Sequence, residues 1–172
     1  WSNGEAVATG VRDQKGGRSA PTIINAAYSD LQFWDGRANQ LEGQALGPIQ
    51  NPIEMDHKIE DCCLKLNQIE GYREQFRQVF GTECTEKALA QAISAYERTI
   101  VSGNAPYDRF VAGDESALSE AAQRGRQVFF NRAHCSACHN PPNFTDHAFH
   151  NVGIGMHAKD GYDKGREVIS KL

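Results

Sequence analysis

Cys135-Ser136-Ala137-Cys138-His139 reads C-x-x-C-H, the attachment signature of a c-type haem. Residues three and four apart on a helix share one face, so both thiols can reach the two vinyl groups of one porphyrin while the His139 imidazole turns onto the iron. Two other uses of paired cysteines compete with this reading. A structural zinc site needs two further ligands, and the chain has no second C-x-x-C and no H-x(3–5)-H; His147 and His150 form an H-x-x-H, the wrong spacing for a finger. A thioredoxin-like pair asks for a strand and a βαβ context, whereas the residues from Ala121 to Phe130 have the apolar spacing of an amphipathic helix running straight into the motif. Covalent haem is therefore the expected cofactor, with Cys135 and Cys138 as its anchors and His139 as the iron ligand.

Upstream of the motif the apolar spacing predicts helices over 59–66, 72–80, 86–101 and 120–130. Thr85 and Ser119 stand at N-cap positions, and Gly81 and Gly103 follow as stops. Ala88, Leu89, Ala92, Ile93, Ala95, Tyr96 and Ile100 form a stripe that should pack on a core. Residues 1–21 are rich in Gly and polar side chains and read as irregular loop. From Thr22 the chain is more apolar, but Pro48 and Pro52 interrupt any helix, which predicts short turns and loops. No strand-period run and no internal repeat is present. The expected class is mainly α with long loops. Beyond His139 the segment holding Pro141, Pro142, Phe144, Phe149 and Gly153 is too dense in Pro and Gly for helix, and its aromatics suggest folding over an apolar object such as a haem edge.

A chain of 172 residues suffices for one domain or part of a larger one. Its net charge of −4 excludes a polybasic nucleic-acid footprint. No apolar run approaches the ~18 residues that span a bilayer, so a soluble protein is expected. The start at Trp1, without Met or signal peptide, fits a processed protein or a fragment. Covalent haem attachment outside the cytosol implies an exported, periplasmic location. Three further cysteines leave two readings open: Cys84 pairs with one of the vicinal Cys62 and Cys63, or all three are buried small hydrophobes.

Phe33-Trp34-Asp35-Gly36-Arg37, Gln44, Gly47-Pro48 and Asn51-Pro52-Ile53-Glu54-Met55 resemble blocks of the bacterial di-haem cytochrome c peroxidases and the related MauG proteins. The resemblance continues in order through residues 119–130, the haem motif, Asn143-Phe144-Thr145-Asp146 and Phe149-His150-Asn151-Val152-Gly153. It implies cytochrome c-like haem domains, one with a peroxidatic haem that reduces hydrogen peroxide and one whose haem receives electrons from a donor. Residues 1–56 would then be the tail of the N-terminal peroxidatic domain with interdomain loops, and residues 57–172 an incomplete C-terminal haem domain. A second haem would be attached by a motif outside this sequence.

By position, the resemblance gives Trp34 a place between the two haems as an electron stepping stone, with a core anchor of the domain interface as the ordinary alternative. It makes Glu54 the distal carboxylate that moves the peroxide proton, since a carboxyl beside an apolar haem face can shuttle protons near neutrality. Gln44 matches the glutamine that positions peroxide. Without the family, Glu54 and Gln44 read as an ordinary solvated pair. Val11 stands where many members carry a histidine that caps the resting haem, and valine cannot ligate iron, so an open, five-coordinate site is expected. Ser19 stands where an asparagine often contributes to a calcium site, and serine is a weaker oxygen ligand. Met55 and Met156 are expected to be packing and loop residues, and His134, His147, His150 and His157 to be surface or propionate-contacting groups, His150 being the best of them for the haem edge.

The functional expectation is a periplasmic di-haem peroxidase that takes hydrogen peroxide to water, with electrons entering at the haem on His139 from a small cytochrome c or cupredoxin. A MauG-like oxidase acting on a partner protein and a mono-haem electron-transfer subunit are the alternatives. A homodimer is compatible with either enzyme.

Overall fold

The computed structural model describes residues 4–154 and 162–171. Met156 and His157 therefore lie outside the described residues. Seven α-helices are present there: α1 (Leu41–Gln50), α2 (Ile59–Gln68), α3 (Glu70–Phe80), α4 (Glu86–Glu97), α5 (Pro106–Val111), α6 (Glu120–Gln127) and α7 (Glu167–Ser170). Pairing of β type among the described residues is limited to two isolated bridges, Thr9 with Lys15 and Gln32 with Ala38. The protein is thus mainly α, as its periodicity indicates. Two compact units divide the chain: Trp1–Ile100 with Lys164–Leu172, and Val101–Asp163.

The first unit is built on α1, α2, α3 and α4. Ile49, Ile59, Cys63, Phe76, Cys84, Ala88 and Leu89 form its buried cluster, with Leu46, Leu66, Phe80 and Ile93 packed around them. Each fully buried aliphatic or aromatic side chain of this kind contributes about 1.5–3 kcal/mol. The capping expectations hold at both ends of the loop between α3 and α4. Gly81 adopts φ 69° at the α3 C-terminus, a left-handed conformation that costs glycine nothing, and Thr85 accepts the Ala88 N–H at 3.2 Å to start α4.

α1 was not foreseen. Pro48 lies inside it and cannot donate to the carbonyl of Gln44, yet it sits in the last turn, where the loss is small. Leu41, Ala45 and Ile49 recur at i, i+4 and i+8 and are buried, and α1 packs along α4. The guanidinium of Arg98 closes this pair by donating to both carboxylate oxygens of Glu42, at 2.7 and 3.1 Å. Tertiary contacts therefore override the proline. At its other end α4 is shorter than the apolar stripe: the helix stops at Glu97, and Ile100 lies past it in a turn whose carbonyl accepts Asn25 N–H at 2.9 Å. Gly103 consequently does not end a helix.

In the second unit Ser119 caps α6 by accepting Ala122 N–H at 3.2 Å. The helical path continues through a π-turn over Val128–Arg132 up to the haem motif. α5 begins with Pro106 at its first position, where the missing N–H costs nothing, and was also unforeseen. No described residue of Val101–Asp163 is buried. Its aromatic residues instead touch one another: Tyr107 stacks on Phe130 at 6.3 Å, and Phe144 meets both Tyr107 (5.1 Å) and Phe129 (5.9 Å) edge to face.

Candidate haem and peroxide sites

The haem motif forms one tight turn rather than a regular α-helix. Cys135–Ala137 is 3-10, entered through His134 at φ 55°, and the Cys135 carbonyl accepts both Cys138 N–H (3.3 Å) and His139 N–H (2.9 Å). This keeps the relation that the spacing demands, with Cys135, Cys138 and His139 on one turn. His139 Nδ1 lies 3.1 Å from the Phe144 carbonyl oxygen. With the proton on Nδ1 that contact is a hydrogen bond, and Nε2 is left as the ligand nitrogen, the second-sphere arrangement by which proteins orient a metal-binding imidazole. Phe144 itself adopts φ 55°, so an unusual backbone turn aims its carbonyl at the ring.

The unit fits a porphyrin on three counts: two thiols on one turn, an imidazole with one nitrogen fixed and one available, and a partly exposed aromatic cluster of Tyr107, Phe129, Phe130 and Phe144. His150 is aimed not at His139 but at Asp146, with Nε2 2.8 Å from Oδ2. The Ala148 N–H, and after it His150, hold the Asp146 carboxyl below the usual range. Ligand atoms of Cys138, Asp146 and His150 lie within 4.8 Å of one another, so His150 stands beside the second sulfur of the motif.

The first unit brings Val11 to Glu54 past the C-terminal end of α1, the helix that carries Gln44 in its first half. Gln44 and Pro48 are one helical turn apart on its half-buried side. After Gln50 the chain turns back over the helix: Glu54 N–H bonds the Asn51 carbonyl (3.0 Å), Met55 N–H the Pro48 carbonyl (3.2 Å) and His57 N–H the Ile49 carbonyl (2.9 Å). The loop 10–14 is strapped across this turn. Val11 N–H donates to the Glu54 carbonyl at 2.7 Å, Gln14 Nε2 to the Pro52 carbonyl at 3.2 Å, and Arg12 pairs with Asp56. Gly10 makes the approach feasible, because a Cβ there would stand 2.0 Å from Ile53 O and 2.6 Å from Glu54 Cα. Sequence reading missed Gly10, since one glycine among 16 gives no sign of what passes over it.

Trp34 is 56% exposed and lies outside the first unit's buried cluster. Its Nε1 donates to the Ser19 carbonyl at 2.8 Å. The next residue, Asp35, is 6% exposed and holds the segment: Arg18 donates to it at 2.6 Å, and Arg37 to both oxygens at 3.0 Å. Arg166 binds the carbonyls of Asp35 and Gly36, each at 2.9 Å. Burial pushes the Asp35 carboxyl up, and the hydrogen bonds from Arg18 and Arg37 outweigh it, so the group lies below its ordinary range.

Residues 1–116 match the family model described as di-haem cytochrome c peroxidase. The chain belongs to the di-haem cytochrome c peroxidase family. It is 42% identical over 157 residues to the methylamine utilization protein MauG of Methylophilus methylotrophus, covering 90% of this chain and 47% of that protein. Against the cytochrome c551 peroxidase of Pseudomonas aeruginosa it is 38% identical over 165 residues, covering 92% of this chain and 47% of that protein. Among solved structures, a MauG-like protein associated with microbial copper homeostasis superposes with a TM-score of 0.82 at 27% identity, over 98% of this chain and 55% of that one. This member of the di-haem peroxidase family thus spans about half the length of the curated relatives it matches. Haem c is the family's cofactor, and no described helix is long and apolar enough to cross a membrane.

Proposed function

We propose that the protein to which this chain belongs is an exported di-haem peroxidase that reduces hydrogen peroxide to water with electrons from a small cytochrome c or cupredoxin. The observation that carries the reading is the strap of loop 10–14 over the turn bearing Glu54, at the end of the helix that carries Gln44. It supports Val11 and Glu54 as neighbours in one distal pocket. In this reading residues 1–56 supply the peroxidatic pocket, although their helix α1 shares one buried cluster with α2, α3 and α4, and the second haem is held by Cys135, Cys138 and His139. Bound haem supplies the iron that takes up peroxide and the electron storage between donor and substrate.

The chain's own groups do the rest. The Gln44 amide holds peroxide in place. The Glu54 carboxylate accepts a proton from one peroxide oxygen and returns it to the other, which then leaves as water; two protons and two electrons complete the reduction to two waters. Trp34 offers its ring as an intermediate station for the electron, and the Phe144 carbonyl holds His139 in its ligating tautomer. Val11 brings no ligand atom to the pocket, which keeps it open without prior reduction. For calcium, Ser19 offers its hydroxyl and the second lone pair of its carbonyl, whose first accepts from Trp34.

The same open pocket, and the 42% identity to MauG, favour a second reading in which the oxidant is turned on a partner protein. The full-length holoprotein separates the two. Two haems per chain and peroxide-dependent oxidation of a reduced small cytochrome support the peroxidase; two haems with oxidation of a partner protein's side chain and no turnover of the cytochrome support the oxidase. One haem and neither activity would leave an electron-transfer subunit. Trp34→Phe preserves an aromatic ring but removes the indole N–H bond to Ser19 and raises the energy of the stepping state. Electron transfer between the haems, followed by stopped flow, should slow at least tenfold; an unaltered rate assigns Trp34 to local structure alone.

A further inference from the structure

Cys63 on α2 and Cys84, the residue before the α4 cap, are both buried, with their sulfur atoms 2.8 Å apart. That is closer than two non-bonded sulfurs rest. Asn67, one turn after Cys63, fixes the loop that bears Cys84: its Oδ1 accepts Cys84 N–H at 2.8 Å and its Nδ2 donates to Cys84 O at 3.2 Å. The two thiols border a surface cavity of about 340 Å³ lined also by Ile59, Leu64 and Thr85. Cys62 is rotated by about 100° on the same helix and is only half-buried, so the vicinal pair offers one sulfur to Cys84, not two.

We propose that Cys63 and Cys84 are joined by a structural disulfide in the exported protein, leaving Cys62 as the free thiol of this segment. The inference rests on the export reading, because only an oxidising compartment maintains such a bond. Its formation releases two protons and two electrons from the thiols. An incoming disulfide of a thiol oxidant accepts both electrons and departs as a dithiol, by way of a mixed disulfide. Burial pushes the Cys84 thiol up to about 12, so exchange is slow once the core has closed and the bond belongs to the folding stage. The closed loop ties α2 to the start of α4 across α3. Because Ile49 of α1 packs on the same cluster, the bond also steadies the helix that carries Gln44.

The test is peptide mapping of the full-length holoprotein, denatured without reductant and alkylated. The expected result is a peptide holding Cys62 and Cys63 linked to the peptide holding Cys84, with one alkyl group on Cys62 and separation on reduction. Cys62→Ser should keep the link and lose the alkyl group; Cys63→Ser should lose the link. Reduction should lower the melting temperature of the wild type by roughly 5–10 °C and leave that of Cys63→Ser unchanged. A link that survives in Cys63→Ser and vanishes in Cys62→Ser overturns the assignment. Three alkylated thiols also overturn it: on a haem-bearing chain the bond alone is refuted, and on a chain without haem the export reading falls with it. Should Cys63→Ser fail to accumulate, the wild-type map and Cys62→Ser decide the question.

Discussion

Peroxide turnover by the full-length enzyme should fall by about 10²–10⁴-fold when Glu54 is replaced by Gln, the range that a positioned acid/base group supplies. The amide keeps the volume and can still hydrogen-bond, but it cannot take a proton from one oxygen and give it to the other. The backbone of the turn is held by Val11 N–H on the Glu54 carbonyl and by Glu54 N–H on the Asn51 carbonyl, so the substitution leaves the local fold in place. Spectra of the haem on His139 should therefore be unchanged, which separates lost proton transfer from lost structure. Turnover within twofold of the wild type would remove Glu54 from the mechanism. Gly10→Ala gives a complementary displacement of the same carboxylate, because the added methyl meets the backbone of Ile53 and Glu54.

The second large effect is on stability. Asp35→Asn removes the charge that Arg18 and Arg37 share and should cost about 1.5–3 kcal/mol, the worth of hydrogen bonds to a charged group, since both guanidiniums keep access to water. The sign of its pH dependence follows from the depressed carboxyl. A group whose folded pKa lies below its unfolded value stabilises fully above the unfolded value, near 3.9 for Asp, and loses that contribution as pH falls through the folded one. Urea unfolding at neutral pH and again near pH 3 should therefore show the gap between wild type and variant shrinking on acidification. An equal gap at both pH values would show that shape, not charge, holds the segment. Trp34 adjoins Asp35 in the chain, so the variant should also broaden its fluorescence.

What the sequence made legible was local. The C-x-x-C-H turn, the Thr85 and Ser119 caps and the left-handed Gly81 need only neighbours within one helical turn. α1 was illegible because its stability comes from contacts 56 residues away, where Arg98 reaches Glu42, and those outweigh the proline that argued against it. The partner of Cys84 stayed undecided for a similar reason: both vicinal cysteines are chemically suitable, and only the rotation of α2 against the core selects Cys63. Gln44, Glu54, Trp34 and Ser19 were named through family resemblance; Asp35 stood in the same quoted block with no role attached, and Gly10 and Arg166, which pack on Glu54 and on the Asp35-Gly36 backbone, carry no motif that would have announced them.

The strap over the distal turn also bears on how such enzymes diversify. Its central bond runs from the amide of Val11, not from the side chain, so any residue but proline can occupy that position without releasing the turn. On the proposed reading, in which position 11 faces the peroxidatic iron, a lineage can acquire or discard a ligand there by a single codon change while the architecture beneath is inherited intact.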